Sequence, residues 1–276
     1  MAEIKAGDVA KLRNITGAGM MDCKKALEEA QGDFDLAIDI LRKKGQKVAN
    51  KRADREATEG VVLAGTTADN KLGAIVVLNC ETDFVAKNED FVKFAQSILK
   101  VALDKKPATL EALKELDLNG HKIAEEITTQ IGVIGEKIDL SYFETVSADY
   151  VSYYIHQGNK LASIAGFNQA GLDQQVGKDI VMQIASMNPI AIDQQDVPQS
   201  VVDKEIEIGK ELAIQEGKPA DMAEKIAIGR LNKFYKESTL LNQQFVKDNK
   251  LSIREYLGQV NKNLTITGFK RFTLNN

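Results

Sequence analysis

The chain has 276 residues, with 40 acidic and 36 basic side chains, a formal net charge of −4, and 43% hydrophobic residues. This length favours two or more domains, and the acidic balance argues against direct nucleic-acid binding as the main role. No apolar run is long enough for a membrane span or a secretory leader. Two cysteines are too few for a disulfide framework. We therefore expect a cytoplasmic protein without a membrane anchor.

Sequence patterns of common enzymes are missing. The chain contains no GxxxxGK[ST], GxGxxG, CxxC, HExxH or GxSxG pattern, and its only histidines are His121 and His156. Cys80, Glu81 and Asp83 lie close together, but no histidine cluster or further ligand of fixed spacing supports a metal site there. We expect a binding protein rather than an enzyme, with no cofactor and no bound metal.

Three short amphipathic helices are predicted near the N-terminus. The first spans about Gly7–Thr16 and stops at the sequence GAG, and the third is capped by Asp33 and ends at Gly45. The second has an apolar stripe of Met20, Cys23, Leu27 and Ala30. Because a bundle this small has little core of its own, we interpret residues 1–45 as a docking module.

A charged linker is predicted over residues 46–59. Seven basic residues fall between Arg42 and Arg55. This run favours either a solvated linker, which could be helical, or a contact with RNA. The acidic chain as a whole favours the linker.

A β-hairpin followed by a helix is predicted next. Two β-branched runs flank the turn ADNK, and Asn88 is suited to cap the helix that starts with Glu89. The sequence CETDFVAKN connects the hairpin to the helix and places Phe84 in a turn, where an aromatic side chain is hard to bury.

This unit recurs later in the chain. NKLGAIVVLN begins at Asn70 and NKLASIAGFN begins at Asn159, and five of their ten residues are identical. We therefore predict an α+β fold with two related hairpin-plus-helix subdomains, residues 60–146 and 147–276. The second copy has QAGLDQQVG where the first has CETDFVAKN, which weighs against a purely structural role for Phe84.

An antiparallel helical hairpin is predicted as an insert over residues 190–236. Its two helices flank a Gly-Lys-Pro turn, and apolar residues line one side of each. These are Val202, Ile206, Leu212, Met222, Ile226 and Leu231. A projecting hairpin of this kind often packs against a second copy of itself.

Four stretches carry a resemblance to a known family. They are TGAGMMDCKKAL at 16–27, TDFV at 82–85, YIHQGNKLASI at 154–164 and EGKPADMAEKIAIGRLNKF at 216–234. Together they resemble bacterial elongation factor Ts, the guanine nucleotide exchange factor of elongation factor Tu. The resemblance covers essentially the whole chain.

The resemblance implies a role for each segment. Residues 1–45 would form a ubiquitin-associated-like module that docks on the GTPase domain of elongation factor Tu. Its contacts would be Leu12, Arg13, Thr16, Gly17, Ala18, Gly19, Met20 and Met21. Thr82, Asp83, Phe84 and Val85 would disturb the magnesium region of the partner's nucleotide site and so promote GDP release. Tyr154, His156 and Gly158 would touch another domain of the partner, and the 190–236 hairpin would pair two complexes.

Two points qualify the resemblance. Some family members continue past the last strand into a further helix that contacts the partner, whereas this sequence ends at Asn276, so we do not expect that contact. The alternative function is an RNA- or ribosome-binding module that uses the basic segment 42–55.

Overall fold

The computed structural model describes residues 4–275. Residues 1–3 of the predicted docking module and Asn276 lie outside the described part. The helices are α1 (Ala6–Thr16), α2 (Met20–Glu29), α3 (Phe34–Arg52), α4 (Asp83–Ala86), α5 (Glu89–Lys105), α6 (Leu110–Lys114), α7 (Ile123–Ile134), α8 (Gln174–Met187), α9 (Gln199–Gln215), α10 (Ala220–Ser238) and α11 (Ile253–Val260). The strands are β1 (Glu59–Thr66), β2 (Leu72–Cys80), β3 (Asp117–Leu118), β4 (His121–Lys122), β5 (Asp139–Ser147), β6 (Tyr150–Ile155), β7 (Leu161–Phe167), β8 (Gln244–Phe245), β9 (Asp248–Ser252) and β10 (Ile266–Thr273). The α+β fold class is confirmed. No helix within residues 4–275 combines the length and apolar character needed to cross a bilayer.

The three N-terminal helices form where their local signals predict them. Helix α1 ends just before Gly17, whose φ of 69° lets its N–H donate to the Arg13 carbonyl oxygen at 2.7 Å. The Asp33 carboxylate caps α3 by accepting from the Leu36 N–H at 2.9 Å. Leu12, Cys23 and Leu27 are fully buried between the helices.

The predicted end of the third helix at Gly45 is wrong, because α3 continues to Arg52. Gly45 lies where α3 crosses α7: a Cβ atom at this position would be 3.0 Å from the Thr128 carbonyl oxygen. A Cβ at Gly132 of α7 would be 2.6 Å from the Gly45 Cα. Gly45 therefore permits a close helix crossing and does not stop the helix. Residues 46–52, expected in a linker, are helical.

After α3, the described residues form two three-stranded antiparallel sheets, with strand orders β1-β2-β5 and β6-β7-β10, together with the helices and small hairpins around them. In each copy a hairpin is followed by a long helix (α5 or α8). A small two-stranded hairpin and a further helix (α7 or α11) then precede the third strand. That third strand pairs with the second strand of the first hairpin. The two copies therefore share this order of elements, to which α4 and α6 are added in the first copy and α9 and α10 in the second.

Reciprocal hydrogen bonds join the two copies. The Val62 N–H donates to the Asn159 carbonyl oxygen at 2.7 Å, and the Val151 N–H donates to the Asn70 carbonyl oxygen at 2.6 Å. Val151 lies 89 positions after Val62, and Asn159 lies 89 positions after Asn70. This is the offset of the sequence repeat. Asn70 and Asn159 both adopt a left-handed conformation, with φ of 54° and 56°. The hairpin turn of each sheet is thereby fixed to the first strand of the other.

The sheets pack face to face, with helices on the outer sides. Val62, Ile75 and Val77 point into an apolar layer that also contains Val151 and Ile164 of the second sheet. The alternate residues of the same strands pack against α5 and α7, while α8 and α11 cover the second sheet. Both faces of β1 and β2 are thus buried, which explains their continuous apolar sequence.

Helices α9 and α10 form the predicted hairpin, but small residues make its seam. Ala213, Ala223 and Ala227 are buried, and a Cβ at Gly209 would be 3.1 Å from the Ala227 Cα. Of the predicted apolar stripe, Val202 and Leu231 are buried near the base. Leu212 and Met222 were expected in the stripe but are 40% and 50% exposed, because the helices approach too closely to place large side chains between them.

The crossing of α3 and α7 gives a test of the fold. Gly132→Ala should force the two helices apart, because its Cβ would overlap the Gly45 backbone. We expect a loss of about 1–3 kcal/mol in the free energy of unfolding, measured by urea titration. Gly258→Ala in α11 is the matched control, since a Cβ there meets nothing within 4 Å. The helix-crossing account is contradicted if Gly132→Ala is as stable as the control.

Candidate functional site

The TDFV segment forms one helical turn, α4, rather than the loop expected from the sequence. Helix α4 begins at Asp83, three residues after β2 ends at Cys80. The Thr82 hydroxyl oxygen caps the turn by accepting from the Val85 N–H at 3.4 Å. Ala86 is buried and Val85 packs against the core of the first sheet. The inner side of the turn is thus anchored, which leaves Asp83 and Phe84 on its outer side.

Phe84 is 82% exposed, although it lies on a turn whose backbone is held at both ends. No other large apolar side chain among the described residues is as exposed. Its ring therefore contributes little to the packing of the free protein. An exposed aromatic side chain on a defined turn is typical of an anchor for a binding partner.

Asp83 forms an ion pair with Lys87 one turn later, with 2.6 Å between the carboxylate and Nζ. This hydrogen bond lowers the pKa of Asp83 below its usual value. The carboxylate is therefore negative at neutral pH and lies beside Phe84.

The residues before α4 are held by the C-terminal end of α7. The Glu136 carboxylate accepts from the N–H groups of Glu81 and Thr82 at 3.1 and 3.0 Å, and from the Thr82 hydroxyl at 2.6 Å. The Glu81 carboxylate in turn forms an ion pair with Arg52 at 2.9 Å. Both contacts were missed from the sequence, because Glu136 and Arg52 are remote along the chain and no motif connects them to Thr82.

The turn between β6 and β7 lies beside α4. His156 and Gly158 line one shallow groove together with Asp83 and Lys87. The His156 Nδ1 is 2.8 Å from the Tyr154 hydroxyl, and Gly158 has a φ of 88°, which favours glycine. The structure thus brings together two predicted contact segments that are more than 70 residues apart in sequence.

The predicted contact residues of the docking module fall into two groups. Leu12 and Ala18 are 0% and 6% exposed, so their side chains pack inside the module, and their contact with a partner stays a prediction. The exposed group consists of Arg13, Gly17, Gly19, Met20 and Met21, with Thr16 half-buried.

Three apolar side chains define what we call the docking surface: Ile15, Met20 and Met21. Met21 is 64% exposed, as its position off the apolar stripe predicts. Met20 is also exposed, although the stripe placed it in the core, because it occupies the first position of α2. Ile15 was missed, because its spacing of three residues from Leu12 assigns it to the same apolar stripe as the buried Val9 and Leu12. Exposed methionines adapt readily to a partner surface.

Two of the basic residues in segment 42–55 form ion pairs. Lys44 pairs with Asp22, and Arg52 pairs with Glu81. Lys43, Lys47 and Lys51 remain exposed along α3. The segment is therefore a helix attached to the core at its end, with a row of solvated lysines.

The chemistry of the region does not resemble a metal or nucleophile site. Burial raises the pKa of the Cys80 thiol to about 12, and the thiol lies 3.2 Å from the Thr82 carbonyl oxygen, to which it donates. Within residues 4–275 no group of three or more His, Cys, Asp or Glu side chains is placed to bind a metal ion. The exposed features of the region are those of a binding surface.

Comparison with known proteins gives a consistent family. The model of the family described as elongation factor TS matches residues 81–276. Elongation factor Ts of Porphyromonas gingivalis is 54% identical over 269 residues, covering 97% of each chain. The protein of the same name from Amoebophilus asiaticus is 56% identical over 270 residues, 97% of this chain and 98% of the relative. That of Cytophaga hutchinsonii is 50% identical over 277 residues, 99% of this chain and 100% of the relative.

The Asp83–Lys87 pair gives a test of the site's electrostatics. Lys87→Met should raise the pKa of Asp83 toward its ordinary value of about 3.9, because the hydrogen bond that lowers it is lost. In the native protein the pair persists above the unfolded pKa of Asp83 and is lost as the pH falls through the lowered pKa. Carbon-detected NMR titration of the Asp83 carboxyl measures the shift.

Lys93→Met is the matched control, because Lys93 lies near Glu89 and Asp90 at 3.7 and 3.5 Å. It should leave the pKa of Asp83 unchanged. An equal effect of both variants would show that general surface charge, and not the Lys87 contact, determines the ionisation of Asp83.

Proposed function

This chain belongs to the elongation factor Ts family of translation elongation factors, and we propose that it acts in the cytoplasm by binding elongation factor Tu·GDP and promoting GDP release. The observation that carries the proposal is the exposure of Phe84 on a fixed turn beside the charged Asp83. The role requires no covalent chemistry and no cofactor of the factor's own.

Thermodynamic linkage defines what such a protein must do. If the partner binds this factor more tightly without nucleotide than with it, then the factor weakens nucleotide binding by the same ratio. The factor therefore needs a group that occupies, in the complex, space which the nucleotide-bound state requires.

Phe84 has the exposure and the size for this task. Transfer of its ring from water into an apolar slot of the partner would stabilise the complex by about 1.5–3 kcal/mol. That free energy is gained only in the complex, because in the free protein the ring lies in solvent. It can therefore hold the partner in the conformation that releases GDP. Thr82 and Val85 orient the ring through the cap of α4.

Asp83 would act on the magnesium ion that holds the nucleotide phosphates. A carboxylate near this ion can compete for the water or side-chain ligands around it, since magnesium prefers oxygen donors in strict octahedral geometry. The ionised state of Asp83 suits this role.

Two further surfaces would supply affinity. The docking surface would bind the GTPase domain of the partner, and the Tyr154, His156 and Gly158 turn would contact another of its domains. Because this turn and α4 line one groove, a single partner could cover both. The RNA-binding alternative gains no specific support, since the exposed lysines of α3 have no base-stacking aromatic side chain in their row.

Phe84→Ala tests the proposal by separating maximal rate from affinity. Release of fluorescent GDP from elongation factor Tu is measured by stopped flow over a range of factor concentrations. We expect the maximal rate to fall at least about tenfold, which corresponds to about 1.4 kcal/mol. Met21→Ala should instead raise the half-saturating concentration and leave the maximal rate near that of the unaltered protein.

Met187→Ala is the control, because Met187 is an exposed methionine on α8, outside these surfaces. It should change neither quantity. Undiminished GDP release by Phe84→Ala at saturating factor would refute the role proposed for Phe84.

We also propose that the α9–α10 hairpin pairs two complexes. Five of its large apolar side chains are exposed, namely Ile208, Leu212, Ile214, Met222 and Ile228. Exposed apolar groups at this density favour association with another surface.

Leu212→Glu combined with Met222→Glu should halve the mass of the complex with elongation factor Tu in light scattering, because charges would be introduced into the apolar surface. The control is Ser200→Glu combined with Gln215→Glu, which adds the same charge at exposed polar positions of α9. An identical mass for both double variants would rule out pairing through this surface.

A further inference from the structure

Glu136 makes contacts that no sequence motif indicates. It follows Gly135, the left-handed residue that ends α7 with a φ of 79°. Its half-buried carboxylate accepts three hydrogen bonds, and all three donors belong to Glu81 and Thr82. These two residues connect β2 to α4. Glu136 therefore determines the path of the chain as it enters α4.

The Thr82 hydroxyl transmits this contact to the turn. It donates to Glu136 at 2.6 Å, and its oxygen accepts from the Val85 N–H at 3.4 Å. A helix of four residues has too few internal hydrogen bonds to persist by itself. The cap is therefore needed to keep α4 folded, and the orientation of the cap depends on the Glu136 carboxylate.

The same junction holds the end of α3. The Glu81 carboxylate accepts from the Arg52 guanidinium at 2.9 and 3.1 Å, and from the Lys137 N–H at 2.6 Å. The Lys137 Nζ donates to the carbonyl oxygens of Ala53 and Arg55 at 2.7 and 2.9 Å. The C-terminal ends of α3 and α7 thus meet at the start of α4. Helix α3 belongs to the module that carries the docking surface.

We propose that Glu136 is a positioning residue for nucleotide exchange: it holds Thr82 so that α4 presents Phe84 and Asp83 in one orientation relative to the docking surface. This inference rests on the proposed function. Glu136 itself acts through Thr82, so its loss should lower the maximal rate of GDP release more than the affinity for the partner. A purely stabilising residue would instead lower the melting temperature and leave the rate of the folded protein unchanged.

Glu136→Gln tests the assignment with little change in shape. The amide nitrogen of glutamine cannot accept a hydrogen bond. Either the N–H groups of Glu81 and Thr82 or the Thr82 hydroxyl therefore lose their acceptor. We expect the maximal rate of GDP release to fall about tenfold, as for loss of a charge-assisted hydrogen bond, and the half-saturating concentration to change less than twofold. Glu144→Gln is the matched control, because Glu144 pairs with Lys270 at 3.0 Å on the strand β5. It should leave both quantities unchanged.

Hydrogen exchange supplies a readout that needs no partner. In free Glu136→Gln the amides of residues 81–86 should exchange at least tenfold faster than in Glu144→Gln, with the rest of the chain unchanged. Unchanged protection of these amides overturns the role of Glu136, whatever the exchange rates with elongation factor Tu. Where Phe84→Ala lowers the maximal rate, an unchanged maximal rate for Glu136→Gln overturns it as well.

A double variant then identifies the residue through which Glu136 acts. When Phe84 is already alanine, Glu136→Gln should cause a smaller loss of maximal rate than it causes alone, because only the contribution of Asp83 is left to be misplaced. If the double variant instead loses the product of the two single-variant reductions in maximal rate, the positioning role is overturned. Should Phe84→Ala alone leave the rate unchanged, the proposed function of Phe84 fails, and the hydrogen-exchange result alone decides whether Glu136 holds the turn.

Discussion

Burial of both faces of the β1–β2 hairpin is the constraint on which the presentation of Phe84 depends. One face packs against α5 and α7 and the other against the second sheet. A shift of one residue along the strand would exchange the two sets of side chains, so the register is strongly determined. The end of β2 at Cys80 therefore has a fixed position, and the chain enters α4 from that position. The reciprocal hydrogen bonds between the copies also fix the His156 turn beside α4.

The duplicated scaffold shows what the fold itself requires at this point. In the second copy Asp173 occupies the position that corresponds to Phe84 and directly caps α8 by accepting from the Gln175 N–H at 2.7 Å. In the first copy Asn88 caps α5, and the extra turn α4 precedes it. The fold can therefore pass from strand to helix without an aromatic residue. Phe84 and its turn are an addition to one copy, as the α9–α10 hairpin is to the other.

Local signals made most of the fold predictable. The caps Asp33 and Asn88 and the turn residue Asn70 act within a few residues, and the two helices and the hairpin turn begin where the sequence predicts them. Errors arose where a distant contact overrides a local signal. From the sequence alone Gly45 is expected to end α3, but in the structure it packs closely against Gly132 of α7.

The candidate site was predictable only in part, for the same reason. Phe84 and Asp83 could be chosen from the sequence, whereas Glu136 could not, because it approaches Thr82 only after α7 has packed against the sheet.

An exposed aromatic group is useful to an exchange factor when its burial occurs in one state of the partner alone. The ¹⁹F NMR signal of 4-fluorophenylalanine at position 84 reports this burial, through the difference in chemical shift between H₂O and D₂O. Our account predicts a large solvent shift in the free protein, its loss on binding nucleotide-free elongation factor Tu, and its return when excess GDP is added. A solvent shift that stays the same in all three states would contradict it.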